Sequence, residues 1–302
     1  MKRFNLVVIN HNKIDSFINN FNIKIKKFNK NKDFITLLDS SPTLKDKIKF
    51  QRFCKNKNIS FEIIKRNNSG LDQGARLEYF SNYLLNKKKF KYIFQFQENF
   101  LDSQPTKYDD GSQNFFIFKN KKIIKSDQLS DKIIFDLDNI EKKLNKFDIV
   151  TAETKKFCYF KIFNQEYIAP NGSNFILRSD LLLDHQKLII MNLILNEFKF
   201  MGPSFSRQLI SERQEMWSLW MELTWGILFF KNKKIFDLNK NKIISVKNKK
   251  KFYNYTKKYQ ELHKRFITFN KEPFVNRQRN KFVYYLKLFK QTFLLLYRGL
   301  KT

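Results

Sequence analysis

Residues 61–102 read FEIIKRNNSGLDQGARLEYFSNYLLNKKKFKYIFQFQENFLD, and the order of their apolar and polar runs decides the fold. Phe61-Glu62-Ile63-Ile64 is a short β-rich run. Arg66 to Gly74 then carries Asn67, Asn68, Gly70, Asp72 and Gly74, which is turn chemistry. Leu77, Phe80 and Leu84 follow at i, i+3 and i+7, the stripe of a helix lying on a sheet. Tyr92–Phe96 is a second strand, and it runs straight into Gln97-Glu98-Asn99. In an open α/β sheet, ligands sit outside the carboxyl ends of the strands. The segments Arg66–Gly74 and Gln97–Asn99 are therefore where chemistry is expected.

The same alternation extends toward the N-terminus. Phe4–Ile9 (FNLVVI) is a nearly continuous apolar run, as a buried parallel strand requires, and it ends in Asn10-His11-Asn12. Helical spacing of Ile14, Phe17, Ile18, Phe21, Ile25 and Phe28 predicts a helix over Lys13–Phe28. Phe34–Leu38 is a strand ending in Asp39-Ser40-Ser41, and Ser41-Pro42 reads as an N-cap followed by a proline at the first helical position. The helix it opens runs to about Cys54. Four strands alternating with helices, each ending in polar residues, predict an α/β fold with a mostly parallel central sheet and flanking helices.

Beyond Asp102 the pattern loosens. Phe115–Ile124 suits a hairpin, Asp138–Lys146 a helix, Phe147–Val150 a strand, and Leu181–Phe198 and Glu215–Phe229 two further helices. From about Lys240 the composition turns basic and aromatic, and Asn280–Leu300 is an amphipathic helix candidate. The expected organisation is a main domain over 1–240 and a basic, aromatic-rich helical extension over 241–302.

Composition sets the outer limits. With 42% hydrophobic and 17% aromatic residues in 302, the chain can build a real core. Its formal charge of +31 attracts polyanions such as nucleic acid, anionic headgroups or phosphorylated substrates. The lysines are scattered through every segment and no nucleic-acid motif is present, so charge alone does not make this a nucleic-acid-binding protein. Cys54 and Cys158 form no metal-like cluster and read as buried thiols of a reducing compartment. Three histidines, His11, His185 and His263, leave a histidine metal cluster implausible. The apolar run Leu6–Ile9 is too short for a signal peptide, no stretch approaches a membrane span, and the expected location is cytoplasmic.

These ordered residues resemble the family-2-like glycosyltransferases of the GT-A fold, which move a sugar from a nucleotide-diphosphate donor. The resemblance covers Phe4 to Asp102 well and Phe147 to Asp237 loosely. It implies that Asn10, His11, Asn12 and Asp39 border the nucleoside. It also implies that Asn68 and Gly70, ahead of Ala75-Arg76, form the family's Asn-x-Gly loop and helix start. Where the family places an Asp-x-Asp metal motif, this chain has Gln97, Glu98 and Asn99. One carboxylate and two neutral amides weaken a Mg²⁺ or Mn²⁺ site. A metal-independent reading has Arg66 and Arg76 stabilising the leaving diphosphate instead. The resemblance also implies an acidic base for the acceptor hydroxyl, with Glu222 preferred over Glu215.

Each of these residues has a plainer reading beside the functional one. Asp39 could cap the next helix, Asn68 and Gly70 could be only a tight turn, and Asp72 an N-cap. Glu222 could pair with a nearby base, and Trp217, Trp220 and Trp225 read as core. Lysines among the apolar residues of Asn280–Leu300 suit either a helix packed on the domain or one lying in an anionic membrane interface. The reading that results is a glycosyltransferase taking a nucleotide-sugar donor and a glycan or lipid-linked acceptor, in surface polysaccharide synthesis, at the inner face of the membrane. Its competitors are a basic nucleic-acid- or membrane-binding protein and a catalytically degenerate transferase-like scaffold.

Overall fold

The structure is a computed structural model. It describes residues 1–11, 13–66, 74–80, 89–97, 101, 133–152, 157–162, 165–170, 175–182, 233–238, 240–244 and 253–254. In chain order the elements are β1 (Lys2–Asn10), α1 (Ile14–Lys24), β2 (Ile25–Lys26), β3 (Phe34–Asp39), α2 (Leu44–Asn56) and β4 (Phe61–Lys65). Helical residues 74–80 form α3, followed by β5 (Phe90–Gln97), β6 (Phe135–Asp136), α4 (Leu137–Leu144) and β7 (Ile149–Thr151). Then come β8 (Phe157–Ile162), β9 (Gln165–Pro170), β10 (Phe175–Arg178), β11 (Ile235–Asp237), β12 (Lys242–Ile244) and β13 (Tyr253–Asn254).

Eight strands form one sheet in the order β12-β11-β7-β10-β5-β1-β3-β4. β1 lies between β3 and β5 and is parallel to both, and β4 continues the parallel set beyond β3. This is the mostly parallel sheet with flanking helices that the sequence leads one to expect. β10 enters antiparallel between β5 and β7, while β11 returns parallel to β7. β12 pairs with β11, so the sheet takes in residues on both sides of position 240. β13, β8 and β9 make a separate three-stranded sheet.

Strand parity decides what each face buries. Phe4, Leu6 and Val8 of β1 join Phe94 and Phe96 of β5 in the core with Phe17 and Phe21 of α1 and Phe50 and Phe53 of α2. Phe17 is its pivot, with ring centroids 5.5–6.2 Å from those of Phe21, Phe50, Phe53 and Phe96. Asn5, Val7 and Ile9 point to the other face, where α3 lies. There Asn5 Nδ2 donates to Thr36 Oγ1 at 2.9 Å and to Tyr79 Oη at 2.5 Å, which satisfies a buried amide in mid-strand. Burial pushes the Cys54 thiol up to about 12, so it acts as a small hydrophobe and not as a nucleophile.

Several boundaries differ from the sequence pattern. α1 stops at Lys24, four residues before the end of its apolar stripe, because Ile25 turns extended to pair with Phe135 of β6 and Lys27 takes a left-handed φ of 59°. Phe28 keeps its apolar contact without the helix, 5.4 Å from Phe21. Thr43, not Ser41, is the N-cap of α2, since the Ser41 hydroxyl is taken by Asp39 and by the Thr43 carbonyl. α4 spans Leu137–Leu144, set one residue early by Asp136, whose carboxylate accepts from the N–H groups of Asp138 and Asn139. Phe147 stays out of β7 and stacks on Phe236 at 4.8 Å. The expected hairpin over 115–124, most of the expected helix over 181–198, and the helices over 215–229 and 280–300 lie outside the described residues. Of the first of these helices, Leu181 and Leu182 belong to a 3-10 turn over Ser179–Leu182.

Removing the ring of Phe17 deletes four aromatic contacts at once. Phe17→Ala is expected to destabilise the protein by about 3–5 kcal/mol, and Phe17→Leu by clearly less, as read by urea denaturation.

Candidate functional site

β1 is the first strand of the chain and lies inside the sheet. From it the chain steps to β3 and β4 on one side and later to β5 on the other. That reversal opens a crevice at the carboxyl ends of β1 and β5, where open α/β sheets hold their ligands. The register brings the polar strand ends level: Asn10 pairs with Asp39, Asp39 with Lys65, and Ile9 with Gln97.

On the α1 and α2 side of this edge, Asp39 is the centre. Its Oδ1 accepts from Asn10 Nδ2 at 3.1 Å, from the Ser41 N–H at 3.1 Å and from the Ser41 hydroxyl at 2.5 Å. Its Oδ2 accepts from Lys65 Nζ at 3.2 Å, and the same ammonium donates to the Ser41 carbonyl at 2.5 Å. Burial pushes the Asp39 carboxyl up, but these four donors together outweigh it and hold its pKa below the ordinary carboxylate value. Asp39 is therefore a buried anion. It does not cap α2.

Asn10 is locked by two carboxylates. Its Nδ2 also donates to Asp46 Oδ2 at 3.2 Å, and Asp46 in turn accepts from the Ile14 N–H at the start of α1. Two acceptors converging on one amide nitrogen fix its orientation. The Asn10 Oδ1 is left buried without a hydrogen-bond partner. His11 follows in a half-buried bend.

On the α3 side of the sheet the arginines are separated in role. Arg66 is buried just past β4, where its Nε donates to Glu78 Oε2 at 3.1 Å and its Nη1 to Ser40 Oγ at 2.8 Å. It ties β3, β4 and α3 together. Arg76 is fully buried in α3, its guanidinium carbon 4.4 Å from the ring centroid of Phe175. Phe175 is the cross-strand partner of Gln95, whose amide is buried in mid-sheet with neither its nitrogen nor its oxygen hydrogen-bonded. Gln97 is half-buried at the end of β5.

Of the residues singled out from sequence, Asn10 and Asp39 are thus brought into direct contact, with His11 and Gln97 at the ends of adjacent strands. Asn12, Asn68, Gly70, Glu98, Asn99, Glu215 and Glu222 lie outside the described residues. Among the described residues no group of three His, Cys, Asp or Glu side chains converges on a cation position. Two contributors had escaped the sequence reading. Lys65 is one lysine among 59 basic residues, and Asp46 looks like any acid in a helix first turn.

Against known proteins, no family model and no curated protein matches the sequence. Solved structures do. S. aureus TarS 1–349 superposes with a TM-score of 0.41 at 11% identity, covering 86% of this chain and 63% of that one. The same TarS segment in complex with UDP-GlcNAc gives 0.36 at 12% identity over 61% and 47% of the two chains. Its UDP complex gives 0.37 at 12% identity over 73% and 55%. This chain thus spans less than two thirds of the length of those solved chains.

Two measurements probe this geometry. Because the folded-state pKa of Asp39 is depressed, its contribution is fully present above the unfolded value of about 3.9 and fades as pH falls below it. The stability gap between wild type and Asp39→Asn should therefore be constant near neutrality and close as the pH falls below the unfolded value, measured by thermal unfolding. Gln95→Leu replaces an unsatisfied buried amide by an apolar group of similar size. It is expected to raise stability by about 1–2 kcal/mol in urea.

Proposed function

We propose that this protein is a glycosyltransferase that binds a nucleotide-diphosphate sugar at the carboxyl edge of β1, β3 and β5. The observation that carries this reading is the buried Asn10–Asp39 pair, held anionic by Ser41 and Lys65, at the point where strand order reverses. A cluster of fixed acceptors there suits the hydroxyl and N–H donors of a nucleoside. It leaves the diphosphate to extend along the edge toward Gln97. The resemblance of Asn10-His11-Asn12, Asp39-Ser40-Ser41 and Asn68-Ser69-Gly70 to the strand ends and loop of the family-2-like transferases supports the same placement.

In the proposed reaction an acceptor hydroxyl on a glycan or lipid-linked carrier attacks the anomeric carbon of the donor. The bond from that carbon to the diphosphate oxygen breaks, and its electron pair leaves with the diphosphate. Glu222, or Glu215, takes the hydroxyl proton. Arg66 is assigned a positioning role, since its guanidinium is engaged by Glu78 and Ser40. Arg76, stacked on Phe175, is the arginine proposed to face developing charge on the leaving group. A divalent cation fits the donor set as a weak site: Glu98 is a hard oxygen ligand for Mg²⁺ or Mn²⁺, and Gln97 and Asn99 add neutral amide oxygens. It would neutralise phosphate charge. The main domain, which takes in β12, is proposed to act at the inner face of the membrane, with the basic sequence that follows as an appended extension.

The test is a thermal-shift panel of nucleoside diphosphates, each with and without Mg²⁺ or Mn²⁺. Ligand at a hundred times its Kd stabilises the folded state by about 2.7 kcal/mol, so one base should raise the midpoint by several degrees. Asp39→Ala should abolish that shift while the protein still unfolds cooperatively. A cation requirement that disappears in Glu98→Gln would assign the metal ligand. No shift with any nucleotide at millimolar concentration would overturn the reading.

A further inference from the structure

The outward face of α2 combines charge and exposed aliphatic surface in a way the donor site does not explain. At 100° per residue, Leu44, Lys45, Ile48, Arg52 and Lys55 fall within an arc of about 100°. The buried residues Asp46, Phe50, Phe53 and Cys54 occupy the opposite side. Leu44 is 64% exposed and Ile48 43%, one helical turn apart, and Lys45, Arg52 and Lys55 are exposed around and below them. The surrounding sequence carries a single sign. Residues 11–60 hold twelve basic side chains against Asp15, Asp33, Asp39 and Asp46, and the last three are buried. Asp15, the remaining acid, is paired with Lys49.

We propose that this face of α2 docks on an anionic bilayer surface. Cations on such a face are drawn to the negative potential of acidic headgroups, and exposed Leu and Ile side chains bury among the acyl chains at the boundary. A nucleic acid would use the cations but gain nothing from the aliphatic pair. Single-strand binders also present aromatic stacking surfaces, whereas both phenylalanines of α2 are inside the core. Among the described residues no helix is long and apolar enough to cross a membrane. Leu44 follows Asp39 by five residues and marks the carboxyl edge of the sheet, so docking through the aliphatic end of α2 turns that edge toward the lipid. The docking does not depend on the transferase reading. Its use, delivering a lipid-carried acceptor to the site, does.

Flotation of the full chain with phosphatidylcholine vesicles, with and without phosphatidylglycerol, tests the proposal. Wild type should float only with the anionic vesicles and be released in part by high salt. Leu44→Gln/Ile48→Gln should weaken flotation severalfold while leaving the unfolding midpoint unchanged, since both residues are exposed. Lys45→Glu/Arg52→Glu/Lys55→Glu should weaken it at least about tenfold. The control is Lys234→Glu/Lys240→Glu/Lys242→Glu, which makes the same change in net charge around the far edge of the sheet. It should bind nearly as wild type does. Equal loss in both triple variants would show a response to net charge with no docking face and would overturn the proposal. So would an unaltered Leu44→Gln/Ile48→Gln variant, or wild type that binds RNA but not anionic vesicles. Nucleotide-induced thermal shifts of the same variants report on the donor site separately.

Discussion

A strand covered on both faces has no solvent to serve its polar side chains. Each must find a partner inside the sheet or be placed at a strand end. β1 is such a strand, and the rest of the molecule is arranged around that constraint. Asn5, its one polar side chain in mid-strand, is satisfied by Thr36 and Tyr79. Arg3 near the amino end is enclosed by Asp33, the Lys27 carbonyl and Asp138, with Glu141 at 3.7 Å. Its bond to Asp33 outweighs burial and raises its pKa further, so this end is closed as a fixed ion-pair junction between β1, the loop before β3 and α4. Asn10 at the carboxyl end meets two carboxylates instead. The two ends of one strand thus take different parts: one staples the fold, the other presents a fixed polar surface.

That surface is set more by hydrogen bonds than by ion pairing. Lys65 is half-exposed, with 53% of its side chain accessible, and a pair screened to that degree contributes about 0–1 kcal/mol. The Ser41 hydroxyl and N–H and the Asn10 amide are buried with the carboxylate, where charge-assisted bonds are roughly twice as strong as neutral ones. Asp39 is held ionised chiefly by neutral donors from its own loop and the neighbouring strand. Such a carboxylate keeps its place whether or not a lysine swings away. It is a rigid element of that edge.

Much of this was legible in the sequence, and the reason is local. A parallel strand buried on both faces must read as an apolar run, so FNLVVI, FITLL and YIFQF announced themselves, and the polar residues after them marked the edge. The antiparallel entry of β10 between β5 and β7 was not legible, because pairing direction leaves no trace in a four-residue apolar segment. The end of α1 was misplaced for a related reason. Ile25 and Phe28 obey the helical period but are buried by β2–β6 pairing and by Phe21, and burial alone cannot distinguish these. Asp46 joined the site through tertiary contact between α2 and β1, thirty-six residues apart in sequence. No local pattern encodes such a meeting.

The two arginines show how far such reading can go. In sequence Arg66 and Arg76 are equivalent, both beside the loop where the third strand meets its helix. In the structure they divide. Arg66 is bound through two nitrogens to Glu78 and Ser40 from different elements, a use of the guanidinium as a brace. Arg76 is laid against the Phe175 ring, on the face of the sheet where Gln95 sits buried with its amide unsatisfied. The Gln95 amide, on the strand position opposite Phe175, is buried without a hydrogen-bond partner, which costs stability. Asn10 Oδ1 carries a like cost at the end of β1, on the opposite face. The proposed donor site spans both faces of this edge, with the nucleoside at Asn10 and Asp39 and the diphosphate toward Gln97 and Arg76.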